Sequence, residues 1–325
     1  MEIIKKEQLE HGTEGTALSG IILIKNYNIS LTKTGKEYIN GTLQSGKEIN
    51  FKVWGNASAF NELKNNEYTN VPSYINGKYN LYNGELSIIV ETCQAVEGYE
   101  PADFLPVVYN IDAYWNALKT LYESRVSDKA KALANKYLFD NNVSELFKSE
   151  FAAASNHDNC KGGLLAHTYK MLTAVNLIFT NYPKLFFNEG VAVDQDFVDL
   201  IFFGAMMHDI GKVREMHYGV YTPEAIVTHR YLGIEHFDRA DIIANYSEIW
   251  YYNLVSIMLQ HHGEFDDECR TLAAWIVHKA DMLDSEMTLM QQNIDNAFGK
   301  DNTKRVKYNG KYLTVGVKQQ ETLEV

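Results

Sequence analysis

The feature that most constrains this chain is the step from an apolar run, Leu200 to Met206, into Met207-His208-Asp209-Ile210-Gly211-Lys212. The run reads as a buried helix. It carries an imidazole and a carboxylate into an interior where polar groups are costly unless matched. Neighbouring helical residues project about 100° apart, so His208 and Asp209 can grip one cation from two sides. The second Asp209 oxygen then stays available to a neighbouring ion. Further candidate donors stand far off in the chain: His167 upstream, and His229, His261, His262 and Asp281 downstream. This is no local finger motif, so several helices must converge on one point.

Imidazoles combined with carboxylates form a borderline donor set. It suits Mn²⁺, Fe²⁺, Co²⁺ or Zn²⁺ better than Mg²⁺ or Ca²⁺. Such ions polarise phosphoryl oxygens and activate water, and two of them sharing Asp209 can clamp the attacking and leaving oxygens of a phosphodiester. Lys212, one turn after His208, is placed to neutralise a substrate phosphate. Taken singly, each residue has a plainer reading. A lone histidine is more often a capped surface or satisfied core residue, His261-His262 beside Gly263 can be loop chemistry, Asp281 can cap or pair, and Lys212 can be a solvated helix-end cation. The joint pattern is what points to metal. His11 and His217 remain unassigned.

The chain has 325 residues, room for two domains. Its net charge of −12 argues against broad electrostatic adhesion to nucleic acid or anionic membrane. A local basic groove, or metal ions supplying positive charge, stays open. No run of about 18 apolar residues suggests a membrane span, and Met1 to Glu7 lacks an apolar signal region. Cys93, Cys160 and Cys269 are an odd, unpatterned set that fits free thiols in a reducing cytosol. A cytoplasmic protein is expected.

Residues from about 15 to 96 read as strands. Ile21 to Ile24 is a short apolar run. Gly41 to Trp54 alternates around Ser45-Gly46 as a hairpin, and Tyr74 to Val90 forms a second around Asn83-Gly84. With a short helix near Asn56 to Leu63, about five strands suit a small OB-like barrel. Glu97 to Asp103 is polar, with Gly98 and Pro101, and helical periodicity takes over from Ile111 to about Ala297. Ser127 is an N-cap candidate. Gly162-Gly163 precedes an amphipathic helix from Leu164 to Phe179, and Leu272 to Met290 is a long helix. Arg305 to Thr314 reads as a hairpin turning at Asn309-Gly310. The fold class is α+β multidomain: an OB-like barrel over 1–100, a linker over 101–110, an all-α domain over 111–298 and a tail over 299–325.

The helical motifs resemble the HD-domain metal-dependent phosphohydrolases. The resemblance runs from Ala152 to Asp284 and rests on Gly162-Gly163 with His167, on Met206 to Lys212, on Thr228 to Gly233, on Gln260 to Gly263 and on His278 to Asp284. The chain looks closest to YhaM-type 3′→5′ exoribonucleases, which place an OB-like module ahead of the HD domain. Tyr221 to Ala225 also resembles that subfamily. The resemblance implies that His167, His208, Asp209 and Asp281 hold one ion. His229 and His261, His262 or both would hold a second, bridged by Asp209. It makes Asp209 and Lys212 the catalytic pair, with Lys212 a phosphate or leaving-group stabiliser. His157, His278 and Asp284 become substrate-side or ligand-orienting groups, with helix packing an equal reading for His278. The family often has a histidine pair before the glycine turn; here His157 is followed by Asp158.

In an OB-like barrel, exposed aromatics stack on bases. Tyr27 and Trp54, with Lys36 and Lys52 near phosphates, are the leading candidates. Tyr38, Phe51, Tyr74, Tyr79, Lys33 and Lys47 are others, although aromatics alternating in a small barrel are more often core. Lys304, Arg305, Lys307 and Lys311 in the tail add a phosphate contact or form a solvated face. The expected function is a metal-dependent 3′→5′ exonuclease on single-stranded RNA, with DNA a further substrate, releasing nucleoside 5′-monophosphates by metal-activated water. Two divalent ions are expected, Mn²⁺ or Co²⁺/Fe²⁺. One alternative is an HD-type nucleotide or cyclic-nucleotide phosphohydrolase with a regulatory N-terminal domain. Another is a nucleic-acid-binding accessory protein with a vestigial metal site. Trp250 to Tyr252 hints at a homo-oligomer or, equally, at a core stripe.

Overall fold

The computed structural model describes residues 2–82, 84–108, 110–153, 158–186, 194–263, 267–300, 305–308 and 310–314. It divides into two compact units, Met1–Val107 and Val108–Val325.

In the first unit, α1 (Lys6–Glu10) precedes β1 (Ala17–Leu31), β2 (Glu37–Gln44) and β3 (Glu48–Trp54); α2 (Ser58–Asn65) then leads to β4 (Val71–Tyr82) and β5 (Glu85–Ala95). The strands close into a barrel in the order β1-β2-β3-β5-β4. All pairs are antiparallel except β3 with β5. A five-stranded barrel with a helix between its third and fourth strands is OB-like. One long strand serves two neighbours: β1 pairs with β4 through Ala17 to Ile24 and with β2 from Leu23 onward, and a register shift between Ile24 and Asn26 marks the bend. Gly41 permits close approach there, since a Cβ would stand 2.1 Å from the Asn26 carbonyl oxygen.

Strand parity decides which aromatics line the core. On β3, Ile49, Phe51 and Val53 face inward, while Asn50, Lys52 and Trp54 face outward. Phe51 and Tyr79 are therefore core residues rather than stacking surfaces, and the Tyr79 hydroxyl donates to the Gln8 carbonyl. Tyr27 is half-buried. Its hydroxyl lies 3.1 and 2.9 Å from the Leu63 and Asn66 carbonyls and accepts the Tyr68 N–H, so it fastens the end of α2 to the barrel. Trp54 is exposed and is the direct cross-strand neighbour of Tyr38, with ring centroids 5.6 Å apart. Lys36 is exposed in the β1–β2 turn and Lys52 is half-buried. After β5, a short 3₁₀ turn at Pro101–Phe104 seats Phe104 against Ile21 and Leu23.

The second unit is helical: α3 (Ile111–Glu123), α4 (Asp128–Ala134), α5 (Val143–Ser149), α6 (Gly163–Asn181), α7 (Gln195–Met207), α8 (Lys212–Glu215), α9 (Thr228–Glu235), α10 (Arg239–Asn245), α11 (Glu248–Gln260) and α12 (Leu272–Lys300). Two small hairpins join them, β6 (Met216–His217) with β7 (Val220–Tyr221) and β8 (Arg305–Tyr308) with β9 (Lys311–Thr314). An α+β chain with an N-terminal barrel and a helical remainder is the class read from the sequence. No helix among the described residues is long and apolar enough to cross a membrane.

The second unit is built around α7. Every residue from Val198 to Met207 is buried, as befits a helix that is apolar nearly all round. Trp250 joins this core: it stacks on Tyr246 with centroids 4.1 Å apart, and its Nε1 donates to the Asp196 carbonyl. Tyr252 stays exposed beside Arg239. In the tail, Lys311 is exposed and Lys304 lies outside the described residues.

One carboxylate sits inside α7. Asp199 accepts the Ser127 N–H at 2.9 Å, the Ser127 hydroxyl at 2.5 Å, Gln195 Nε2 at 2.9 Å and the Tyr246 hydroxyl at 3.0 Å. Ser127 also caps α4, so the network ties α4 and α10 to the hub. Asp199→Ala strands these donors, at a cost of roughly 2–3 kcal/mol. A urea titration followed by tryptophan fluorescence should show a lower midpoint in this variant, and an unmoved midpoint would contradict the role given to Asp199.

Candidate metal centre

Two glycine-permitted approaches bring the site together. At Gly163 a Cβ would lie 1.9 Å from the Asp158 carbonyl oxygen, so glycine lets α6 start against that segment. Gly162 precedes it with φ +81°, a value glycine adopts freely. At Gly211 a Cβ would lie 1.9 Å from the His229 carbonyl oxygen. Glycine there lets α9 close over the turn that follows His208-Asp209. Helix α6 then contributes His167, the end of α7 gives His208 and Asp209, α9 gives His229, the end of α11 gives His261 and His262, and α12 gives Asp281 and Asp284.

The side chains meet on the two sides of the Asp209 carboxylate. Its Oδ2 lies 3.2 Å from His208 Nε2 and 3.7 Å from His167 Nε2. His167 Nε2 is 3.3 Å from Asp281 Oδ1 and 3.4 Å from His208 Nε2. On the opposite side, Asp209 Oδ1 lies 3.5 Å from His229 Nε2 and 3.7 Å from His261 Nε2. His262 offers a nitrogen within 4.8 Å of both these imidazoles. Asp209 Oδ1, His229 Nε2 and His261 Nε2 are buried with no hydrogen-bond partner among the described residues. Buried polar atoms are seldom left this way. Donors about 2.1 Å from a shared tetrahedral or octahedral ion stand about 3.0–3.5 Å apart, close to the spacings found here. The donor set thus fits divalent metal on both sides of Asp209.

Four of the imidazoles are aimed by their other nitrogen. His208 Nδ1 donates to the Ala205 carbonyl at 2.9 Å, His261 Nδ1 to the Met258 carbonyl at 3.0 Å, His167 Nδ1 to Asp284 at 2.7 Å and His229 Nδ1 to Glu215 at 2.9 Å. Carbonyl and carboxylate oxygens can only accept, so Nδ1 carries the proton and Nε2 faces the centre.

The electrostatics agree. Burial disfavours a charged His167, yet Asp281, Asp284 and Asp209 push it up to about 10. Burial also works against Asp209, and the nearby Lys212, His208 and His229 nonetheless hold it well below the usual carboxylate range. Asp281 and Glu215 are lowered in the same way, burial being outweighed by His167 and His229 respectively. Burial, reinforced by His208, His262 and His229, keeps His261 neutral against the pull of Asp209. The carboxylates are thus anions and His261 a neutral donor, the forms that bind metal, while His167 holds a proton that a bound cation would displace.

Other sequence candidates fall elsewhere. Lys212 Nζ lies 2.6 Å from both Asp209 Oδ2 and the Ala152 carbonyl, so it neutralises the shared carboxylate. His278 is buried outside the cluster, where its Nδ1 donates to the His261 carbonyl at 2.8 Å. Asp158 binds Lys170 at 2.8 Å, and Lys170 also pairs with Asp284 at 3.1 Å. His157 lies outside the described residues. The sequence reading missed Glu215, which accepts both the His229 ring proton and the His229 backbone N–H at 2.9 Å. Its only signal was an acidic residue one turn beyond Lys212.

Residues 164–286 match the HD domain family. This chain carries an HD domain. It is also 24% identical over 313 residues to a 3′-5′ exoribonuclease YhaM of Oceanobacillus iheyensis, covering 89% of this chain and 90% of that protein. A Bacillus subtilis protein of the same name is 24% identical over 312 residues, covering 90% of this chain and 92% of its own length. One from Bacillus velezensis is 28% identical over 165 residues, 48% of each chain. The first two matches extend well beyond the HD domain, and the resemblance read from the motifs is borne out.

Glu215 supplies a direct check. Glu215→Ala removes the acceptor that orients His229, and losing such a partner weakens metal affinity by about 10–100-fold. Calorimetric Mn²⁺ titration should show one weakened class of sites with the far-UV circular dichroism preserved. Wild-type affinity at every site would contradict the assignment.

Proposed function

We propose that this protein is a metal-dependent 3′→5′ exonuclease acting on single-stranded RNA and releasing nucleoside 5′-monophosphates. The observation that carries the reading is the Asp209 carboxylate with each oxygen turned to a separate set of inward-facing donors. The YhaM names of the relatives support the polarity and the RNA substrate.

On this reading His167, His208, Asp209 and Asp281 hold one ion. Asp209, His229, His261 and His262 hold the other, and the donor set suits Mn²⁺, Co²⁺ or Fe²⁺. Bound ions supply Lewis acidity toward a phosphoryl oxygen and lower the pKa of water. The protein's own contribution is to hold the donors in place. Asp284 and Glu215 aim His167 and His229, and Lys212 fixes Asp209 while adding a positive charge where the phosphate arrives. In the barrel, exposed Trp54 with half-buried Tyr38 beside it forms an aromatic pair on which a base can stack, with Lys52 on the same face of β3. The Tyr27 hydroxyl and the Phe51 ring are committed to the barrel itself.

The test is digestion of a 5′-labelled RNA 20-mer with Mn²⁺, comparing wild type with Asp209→Ala. A ladder descending from the 3′ end, with 5′-monophosphates as products, is expected from the wild type. Asp209→Ala and EDTA should each abolish it. An intact oligomer alongside hydrolysis of free nucleotides or cyclic nucleotides would replace this reading with a small-molecule phosphohydrolase.

A further inference from the structure

Between Glu215 and the His229 that it pins in place, the chain makes an excursion that the metal site does not use. Its neck is closed by Glu215: the carboxylate takes the His229 N–H and ring proton, and the Glu215 carbonyl accepts the Thr222 N–H at 2.9 Å. Its tip is the turn Tyr218-Gly219, with φ +50° and +75°. Both tip N–H groups donate to the buried carboxylate of Glu150, at 3.1 and 3.0 Å. The excursion is thus fastened at both ends.

This fixed segment shows apolar side chains to solvent. Ile226 is 89% exposed, Val220 70% and Tyr221 62%, and Val227 and Tyr231 beside them are also open. The 3₁₀ turn Pro223–Val227 buries nothing. Thr228, next to the ligand His229, holds φ +63°, a region β-branched residues seldom enter. Several exposed apolar side chains along one short, fastened segment are a feature of binding surfaces.

What it binds is indicated by its neighbours. Val227 and Tyr231 flank His229 in the chain, so the edge adjoins the proposed metal centre. A cation accompanies it: the Lys161 ammonium stands 5.3 Å from the Tyr218 ring centroid. Aromatic and aliphatic faces beside a lysine and a phosphate-handling centre complement a single strand, whose bases stack and whose backbone is anionic.

We propose that the Val220–Tyr231 edge is a stacking lip for the bases of the 3′-terminal nucleotides, with Lys161 facing their backbone. The proposal rests on the exonuclease reading. Stacking is tolerant of base identity, so the lip gives grip without sequence preference.

The experiment compares wild type, Tyr221→Ala and Ile226→Asn on two substrates with Mn²⁺: a fluorescein-labelled RNA 20-mer and thymidine 5′-(p-nitrophenyl) phosphate, which offers the same ester with a single base. Both side chains are exposed, so the variants should fold; circular dichroism and sedimentation velocity check this. The expected result is a rise of about tenfold in KM for the 20-mer, the scale of one lost base stack, and a kcat/KM for the 20-mer that falls about tenfold more than that for the ester. Equal losses on both substrates would show that the segment only shapes the metal pocket, overturning the lip. Unaltered RNA kinetics would overturn it while leaving the exonuclease reading intact, and so would a variant that changes only the sedimentation coefficient, which assigns the edge to a second copy of the chain. A wild type that hydrolyses the ester and leaves RNA whole would overturn both.

Discussion

The structure depends on one buried carboxylate. Asp209 lies at the end of a fully buried helix, with inward-facing nitrogen donors on both of its sides. Leaving Asp209 Oδ1, His229 Nε2 and His261 Nε2 unmatched in the interior is unfavourable by about 1–3 kcal/mol for each group. A fold holds such an arrangement when a ligand completes it. The groups around them are satisfied: the Nδ1 atoms of His167, His208, His229 and His261 have acceptors, and Asp209 Oδ2 has Lys212. The unmatched atoms all lie on the Oδ1 side, where a divalent cation would complete them.

Much of the helical unit serves to keep that point in register. Gly163 and Gly211 are close approaches of two backbones, and a side chain at either would push apart elements that carry donors. The Asp199 network anchors α7 at its start, far along the helix from Asp209 at its end. Glu215 couples the metal centre to the exposed lip, because one carboxylate both aims His229 and closes the neck.

The sequence made the centre legible because a His-Asp pair after a wholly apolar run conflicts with burial unless it is satisfied, and five further candidate donors stand elsewhere in the chain. The barrel was legible in its strand alternation and in turns such as Ser45-Gly46. The aromatics were not, because reading them together ignored strand parity: Phe51 and Trp54 are three residues apart, so they face opposite sides. Asp199, Glu150 and Glu215 were missed for another reason. Asp199 meets Ser127 at 72 residues' separation, Glu150 meets the Tyr218-Gly219 turn at 68 and 69, and Glu215 meets His229 at 14. A lone carboxylate whose partners lie that far off leaves no periodic trace.

The most direct measurement of the central claim is a count of bound metal. Purified protein stripped with chelator, reloaded with Mn²⁺ and desalted should hold two ions per chain by mass spectrometry of the metal content, with spin coupling between them in the electron paramagnetic resonance spectrum, because both share Asp209. Asp209→Ala, folded by circular dichroism, should lose the coupling and retain at most one ion. A folded wild type that holds no metal, or an Asp209→Ala variant that keeps a coupled pair, would contradict the account.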